Sequence, residues 1–403
     1  MKITSVSESD PGRRYPLREP LQKAWAELGV DHVPSCVGKL AGLSEFLENW
    51  DQGIRQPAHL AYDLSEVDVR TNTTVHRVLF EHSPGQTPRA TGVSLADGSE
   101  IKARKEVVVS AGALRSPQVL QLSGIGPSEL LASHSIPLVH DSPNVGLNLF
   151  DHFALFQVFK LRNATERGLA LGHSSLTDPA FSKGMPVDWS VNEVLPTPIL
   201  QQALTRDGDG GDALGLGKNN RPHVETMVLY HPLAPGVPVD GSFVGTSVML
   251  TLPTSRGTVK LASSVPDDKP LIEPNYFDTS VDRAVLVHGA RRLLQCLTGT
   301  VAGQDVVEAE VAPIPGMAPL TLDSTTEEIE ARIRAVGSPH FHPAGTCALG
   351  PVLDNELRVK GVHGLRVVDA SVFPAPIAGH PQATLYGLAE RAAAFMVGEE
   401  DEL

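Results

Sequence analysis

Two histidines, His342 and His380, are the side chains of this sequence best suited to moving a proton. His342 lies in HFHPAGT (residues 340–346) and His380 in AGHPQAT (residues 378–384), so both are predicted to occupy loops constrained by glycine and proline. Imidazole exchanges a proton near neutral pH, which makes it a common general acid or base. A lone loop histidine is more often structural than catalytic, so the pattern by itself leaves both interpretations open.

A buried strand followed by small residues is the first candidate ligand-binding turn. Val107–Val109 is a continuous apolar run, typical of a strand buried on both faces, and Ser-Ala-Gly-Ala follows it at residues 110–113. A helix is predicted from Ser116, since Pro117 suits a first helical turn. Small residues let a ligand approach the backbone, and the N–H groups at a helix start favour phosphate. A tight turn without a ligand is the simpler interpretation, and the turn by itself favours it.

A carboxylate ends the second predicted buried strand. Asp369 follows Leu365–Val368, and small residues come after it. At the carboxyl end of a parallel strand, such a side chain can bind a polar group of a ligand. Asp369 can equally well cap the next turn, and the pattern does not decide between these two interpretations.

The elements that must position these residues are a mixture of helices and strands. Hydrophobic spacing predicts helices over residues 18–29, 327–336 and 383–397. The last of these is rich in small residues, which suits close packing on a sheet. Alternating and β-branched runs predict strands over residues 68–80, 89–95, 100–109, 224–230, 246–252 and 365–368.

Composition excludes several classes of function. The chain has 403 residues and a formal charge of −14, which argues against a nucleic-acid partner. Cys36, Cys296 and Cys347 are far apart, so neither a disulfide framework nor a metal site is expected. No apolar run is long enough to span a membrane and no signal peptide is visible, so a cytoplasmic location is the default expectation.

Several longer motifs identify a resemblance to a known family. Residues 112–126, GALRSPQVLQLSGIG, fit the second signature of the glucose–methanol–choline (GMC) oxidoreductases along its whole length. Three further segments are similar to family motifs: NVGLNLFDH at 144–152, PTSRGTVKL at 253–261 and PNYF at 274–277. With the closing block from His342 to Ala389, the resemblance covers residues from about 16 to 397.

The resemblance implies a fold of two domains. The fold class it predicts is α/β (α+β overall), with an incomplete Rossmann-like FAD-binding domain and a substrate domain built on an antiparallel sheet. By similarity, residues 1–152 form the partial FAD-binding domain and residues 153–337 the substrate-binding domain. Residues 338–403 then return to the FAD-binding domain and carry the two histidines.

The resemblance also implies an activity and the residues that perform it. An FAD-dependent oxidoreductase of this family oxidises the CH–OH group of a small-molecule alcohol by passing a hydride to the flavin. One histidine accepts the hydroxyl proton, and the other hydrogen-bonds the developing alkoxide. The residues that match the family's functional positions are His342 and His380 as catalytic groups, Val75 at the adenine, Asp369 and Ala370 at the pyrophosphate and ribityl chain, and Gln382 and Thr384 near the isoalloxazine.

The sequence departs from the family pattern at its start. Family members open with a βαβ unit carrying GxGxxG, and residues 1–60 contain no such motif. A formal GxGxxA at residues 208–213 lacks a preceding strand and is interpreted as a chance match. The chain is therefore expected to be a truncated or misjoined product, a fragment completed by a missing N-terminal segment or second chain, or a shortened homologue with weakened FAD binding.

Two alternative functions follow from that departure. A non-redox relative, a lyase or cyclase, would keep the fold and use the histidines for acid–base work only. A non-catalytic remnant would keep neither activity. The paired histidines favour an enzyme, while the missing opening motif favours the remnant.

Overall fold

The computed structural model describes residues 2–34, 40–82, 85–208, 214–217 and 221–398. Cys36 and residues 209–213 of the glycine-rich match therefore lie outside the described residues. The chain forms two compact units, each built from separate stretches of sequence. Unit 1 contains Met1–Asp63, His152–Leu252 and Phe277–His340, and unit 2 contains Leu64–Asp151, Pro253–Tyr276 and Phe341–Leu403.

Helices occur in both units. None of those in the described residues is long and apolar enough to cross a membrane. The α-helices are α1 Val6–Ser9, α2 Arg18–Glu27, α3 Ala58–Ala61, α4 Gly112–Leu122, α5 Ser128–Ser133, α6 Ala164–Arg167, α7 Thr197–Arg206, α8 Ser280–Leu294, α9 Val301–Val306, α10 Thr326–Val336 and α11 Gln382–Val397. Short 3-10 helices cover Pro179–Ser182 and Ala370–Val372, and a π-helix covers Gln295–Gly299.

Both units contain short and long strands. They are β1 Thr4–Ser5, β2 Gly42–Glu45, β3 Leu47–Glu48, β4 Trp50–Asp51, β5 Ile54–Arg55, β6 Val75–Glu81, β7 Arg89–Leu95, β8 Glu100–Lys102, β9 Val107–Val109, β10 Ile125–Gly126, β11 His140–Asp141, β12 Phe153–Leu161, β13 Trp189–Glu193, β14 Val224–Leu229, β15 Phe243–Leu250, β16 Thr258–Lys260, β17 Leu271–Glu273, β18 Val307–Val311, β19 Ser338–Pro339 and β20 Leu365–Val367.

Unit 1 is organised by an antiparallel sheet of seven strands. Its order is β18-β12-β15-β14-β13-β2, and β19 pairs with β12 beside this path. Helix α8 packs on β14 and β15. Gly289 permits this approach, because a Cβ atom there would lie 2.5 Å from Val248 and 2.7 Å from Val224. Helices α7 and α10 pack in turn on α8, so unit 1 is a sheet with a helical layer.

Unit 2 is organised around a pair of parallel strands. β9 and β20 pair with Val107 opposite Leu365 and Val109 opposite Val367. Helix α4 follows β9, and the antiparallel strands β6, β7 and β8 form a separate three-stranded sheet. The side chains of Val107, Val109, Leu365 and Val367 enter one hydrophobic core together with Leu120 of α4. Burial of this apolar surface is the main stabilising contribution to the unit.

Most of the predicted elements are confirmed. Helix α10 begins one residue before the predicted start, because Thr325 caps it and forms a capping box with Glu328. The parallel pairing of β9 with β20 agrees with the two predicted buried strands. Helix α2 buries Leu21, Ala24 and Trp25 on one face, as their spacing predicts.

Four expectations from the sequence are wrong in detail. Val108 is 41% exposed, so β9 is not buried on both faces. Helix α4 begins at Gly112 rather than Ser116, and Pro117 lies inside it. The strand predicted over 68–80 starts only at Val75. Helix α11 does not pack closely on a sheet, since Ala392 is the one buried residue among its sixteen.

The predicted domain boundaries and the compact units divide the chain differently. Residues 1–63 join unit 1, partly because β2 pairs with β13 at the edge of its sheet. Residues 253–276 join unit 2, where Val259 of β16 donates its N–H to Gly146. The assignment of an FAD-binding and a substrate-binding role to these parts stays a prediction.

A buried ion pair connects the helical layer of unit 1 to its sheet. Arg332 of α10 donates to Glu310 of β18 at 2.5 Å, and both side chains are almost fully buried. Gln157 of β12 also donates to Glu310 at 2.8 Å, and Arg332 donates to the Ala318 carbonyl at 2.5 Å. The backbone N–H of Leu320 donates to the second carboxylate oxygen. Each charge is therefore compensated, which a buried ion requires.

We expect Arg332→Ala to lower the free energy of unfolding by about 3–5 kcal/mol, because it leaves the Glu310 carboxylate buried without its cation. Equilibrium denaturation measures this change. Arg334→Ala is the matched control, since Arg334 lies on the same helix and its ion pair with Glu330 is long (3.8 Å) and exposed. The control should cost no more than about 1 kcal/mol. Equal costs for the two variants would contradict the prediction.

Candidate active site

The loop that carries His342 is held by a buried carboxylate. Asp151 accepts a hydrogen bond from the His342 backbone N–H at 2.7 Å. Its other oxygen accepts one from the Tyr276 hydroxyl at 2.8 Å. Burial and the neighbouring Asp151 raise the pKa of Tyr276 above its ordinary value, so the hydroxyl keeps its proton and remains a donor. The position of the His342 backbone is thus set by two other segments of unit 2.

A short backbone bridge fixes the same loop on its other side. Phe150 and Ala344 exchange two backbone hydrogen bonds, of 3.1 Å and 2.8 Å. Gly345 has a φ of +93°, and a Cβ atom there would lie 2.4 Å from the Asn148 carbonyl oxygen. The Asn148 amide in turn accepts a hydrogen bond from Arg256 Nε at 2.8 Å. Glycine is therefore required at position 345 for both its conformation and its small size.

The two predicted catalytic histidines lie beside each other. The ring centroids of His342 and His380 are 4.9 Å apart, and the rings are nearly perpendicular at 80°. His342 is half-buried and His380 is exposed. His380 stands two residues before the first residue of α11. Two imidazoles at this separation can contact the same small molecule, one as proton acceptor and the other as hydrogen-bond donor.

Asp369 lies at the end of β20 and binds backbone and side-chain donors of its own unit. It accepts hydrogen bonds from the Gly112 N–H at 2.9 Å, the Ser116 hydroxyl at 2.5 Å and the Ser371 N–H at 2.8 Å. It therefore caps the turn Ala370–Val372 and also closes the start of α4. The capping interpretation of Asp369 is what the structure shows, while a role at a cofactor stays a prediction.

The remaining predicted cofactor contacts are distributed over three elements of unit 2. Val75 is the first residue of β6 and is 39% exposed. Ala370 is the first residue of the 3-10 turn after Asp369. Gln382 and Thr384 lie in the first turn of α11, directly after His380. Ala370, Gln382 and Thr384 therefore lie close in sequence to Asp369 or His380. No contact tests their predicted roles.

The fold is a mixed α/β arrangement with two adjacent histidines, and comparisons with known proteins name the family. Family models described as GMC oxidoreductase match residues 15–154 and 253–389. The chain belongs to the GMC oxidoreductase family. This confirms the predicted recognition and the oxidoreductase class, and FAD is the cofactor of that family.

Individual relatives agree with this placement. GMC-type oxidoreductase acuG of Aspergillus aculeatus is 42% identical over 402 residues, which cover 98% of this chain and 76% of acuG. Versicolorin B synthase of Aspergillus parasiticus is 32% identical over 349 residues, covering 83% of this chain and 52% of that protein. A crystal structure of formate oxidase superposes with a TM-score of 0.82 at 25% identity, covering 96% of this chain and 71% of the oxidase. These matches confirm the predicted fold class.

The residues present fit the two ends of FAD to different degrees. At the turn after β9, the N–H groups of Ala111 and Gly112 already donate to Ser116 and Asp369, so protein acceptors use the donors that a diphosphate would need. Among the described residues, β9 pairs only with β20, and Val108 in the middle of β9 is exposed. The described residues of this turn therefore do not by themselves form a diphosphate site, and a role of the histidine pair at the reacting end of the cofactor stays a prediction.

Four residues that hold the His342 loop were not predicted as site residues. They are Asn148, Asp151, Arg256 and Tyr276. Each lies inside a motif that supports the family resemblance, NVGLNLFDH, PTSRGTVKL or PNYF. The motifs could therefore have indicated these four residues. Which side chain contacts which could not be predicted, because the contacts join distant segments of the chain.

We expect Gly345→Ala to destabilise unit 2 by more than Gly350→Ala, a matched control with a similar φ of +90°. Both substitutions force alanine into a left-handed conformation, at a cost of roughly 1–2 kcal/mol. Only Gly345→Ala adds a clash with the Asn148 carbonyl and the Phe150 ring, since Gly350 has open space around it. Thermal unfolding of both variants measures the difference, and indistinguishable midpoints would show that the close contact at Gly345 is unimportant.

Proposed function

We propose that this chain contributes the proton-transfer centre of an FAD-dependent oxidation of the CH–OH group of a small-molecule alcohol. The observation that supports this proposal is the approach of the His342 and His380 rings to 4.9 Å. A side chain that is proton acceptor to the hydroxyl and a second that holds the same oxygen are what this reaction requires of the protein.

The two histidines divide the work according to how each is held. His342 is the positioning partner of the oxygen, because its backbone is fixed by Asp151 and by the bridge at Ala344. A rigid donor is the better group for orienting a bound hydroxyl. His380 accepts the hydroxyl proton, because its exposed ring can release that proton to solvent. FAD, when bound, supplies the acceptor for the hydride that leaves the same carbon.

Substitution of either histidine is expected to reduce turnover strongly. His380→Asn keeps a polar side chain but removes the base, and we expect kcat to fall by about 10²–10⁴-fold. His342→Ala should cause a loss of similar size by removing the second imidazole. Steady-state oxidation of a panel of primary alcohols in the presence of added FAD measures both.

The matched control for these substitutions is His363→Asn. His363 is an exposed histidine of the same unit that lies outside the pair, so the variant should retain wild-type turnover. A rate within a few-fold of wild type for both His342→Ala and His380→Asn would remove the histidine pair from the mechanism.

A second candidate function is an acid–base reaction without a redox step, such as a lyase or cyclase reaction. The observation that favours it is the use of the Ala111 and Gly112 N–H groups by protein acceptors rather than by a diphosphate. The same two histidines would then move protons on the substrate alone.

The dependence of turnover on added FAD distinguishes the two candidates. We expect this 403-residue chain to lose added FAD during gel filtration, because the described residues supply few donors to the diphosphate. The ratio of flavin to protein absorbance measures the retained cofactor. Stoichiometric retention would contradict this expectation. Turnover that appears only with added FAD supports the oxidation, and turnover that is independent of FAD supports the non-redox candidate.

A further inference from the structure

A groove of about 600 Å³ crosses the helical layer of unit 1. It is lined by side chains from α7, α8 and α10, and both α7 and α10 pack against α8. The residues contributed by α8 recur every three or four positions, so they form one continuous face of that helix. Its volume lies within the range of roughly 300–1,000 Å³ found for small-molecule sites.

Four apolar side chains form part of the groove lining and are called its apolar floor. They are Val287 and Ala284 of α8 and Ala203 and Ile199 of α7. Ile199 is 41% exposed, although it sits in the first turn of a well-formed helix. An apolar floor with an exposed isoleucine can bind a hydrocarbon or aromatic part of a ligand by removing both surfaces from water.

One end of the groove carries two guanidinium groups. Asp207 accepts hydrogen bonds from the Ser280 and Val281 N–H groups at 2.7 Å and 3.0 Å, which holds the end of α7 against the start of α8. Arg206 and Arg283 therefore lie at the same end. Arg206 makes no hydrogen bond or ion pair with any residue that the structure describes. Arg283 donates to the Asp278 carbonyl and the Ser280 hydroxyl, which leaves further N–H donors available.

The opposite end of the groove is balanced in charge. Arg291 donates to the Ser324 carbonyl at 2.9 Å and to the Thr326 hydroxyl at 3.2 Å. Glu327 and Glu330 of α10 line the groove at this side. At the first end, the Asp207 carboxylate lies near Arg283 and offsets part of its charge, so the guanidinium without an ion pair among the described residues is that of Arg206.

His288 lines the middle of the groove. Burial, with a smaller contribution from Arg292 and His223, lowers its pKa to about 4, so the ring is uncharged at neutral pH. Among the described residues, no side chain or backbone group is hydrogen-bonded to it. A neutral imidazole in this position can donate to or accept from a polar atom of a ligand without adding charge to the apolar part.

We propose that this groove binds a small amphipathic organic acid. Its carboxylate is held by Arg206 and Arg283, and its apolar part lies on Val287, Ala284 and Ile199. Guanidinium groups match the planar carboxylate through paired N–H donors, which an ammonium group does not provide. The combination of a cationic end, a neutral polar middle and an apolar floor selects an anion with a hydrophobic tail over inorganic phosphate.

The test uses 4-phenylbutyrate as the probe and 4-phenylbutyramide as its uncharged counterpart, with the full chain in isothermal titration calorimetry. We expect the acid to bind at least tenfold more tightly than the amide. Arg206→Gln should weaken binding of the acid at least fivefold and leave the amide unchanged, because it removes only the charge-dependent contact. Perturbation of the His288 ring signals by the probe in NMR locates binding in the groove.

The matched control is Arg14→Gln, which removes the same charge from another exposed arginine of unit 1 that lies outside this groove. It should leave the affinity for 4-phenylbutyrate unchanged. The proposal is overturned if the acid and the amide bind equally, if Arg206→Gln and Arg14→Gln have equal effects, or if the probe leaves the His288 signals unmoved. None of these outcomes depends on turnover, so the result is independent of the proposed oxidation.

Discussion

The candidate site depends above all on the buried carboxylate of Asp151. Removing a carboxylate from water is unfavourable unless its oxygens receive hydrogen bonds. Asp151 receives one from the His342 backbone and one from the Tyr276 hydroxyl. These donors come from segments more than a hundred residues away in sequence, so satisfying one side chain brings three parts of the chain together. The His342 loop is consequently held in one place, because moving it would leave a buried carboxylate without one of its hydrogen-bond donors.

The turn after β9 is likewise held by hydrogen bonds between groups of the protein. Asp369 and Ser116 accept the N–H groups of Gly112 and Ala111, so the start of α4 is satisfied internally. A turn closed in this way is stable without a ligand. It also has fewer groups to offer to a diphosphate. The similarity to the formate oxidase structure, with a TM-score of 0.82, describes the fold as a whole. The number of N–H donors that this turn can offer to a ligand depends on its own hydrogen bonds.

The helical layer of unit 1 contains both an arginine with an ion-pair partner and an arginine without such a partner among the described residues. Arg332 is fully compensated by Glu310 and stabilises the layer between helix and sheet. Arg206 lies on an adjacent part of the same helical layer and has no such partner among the described residues. A buried cation must be paired to be tolerated, whereas an exposed one beside an apolar groove remains available to a ligand.

The sequence by itself determined the family, the element types and the pair of histidines. These follow from local signals: the GALRSPQVLQLSGIG signature, the hydrophobic spacing of the helices and the loop chemistry around His342 and His380. Tertiary structure alone decided the approach of the two rings, the role of Asp151 and the groove around Arg206. It also decided that Val108 is exposed and that α11 buries only Ala392 completely, contrary to their apolar patterns. The physical reason is that burial and hydrogen-bond partners belong to surfaces that distant segments form together, and no short stretch of sequence specifies its partner.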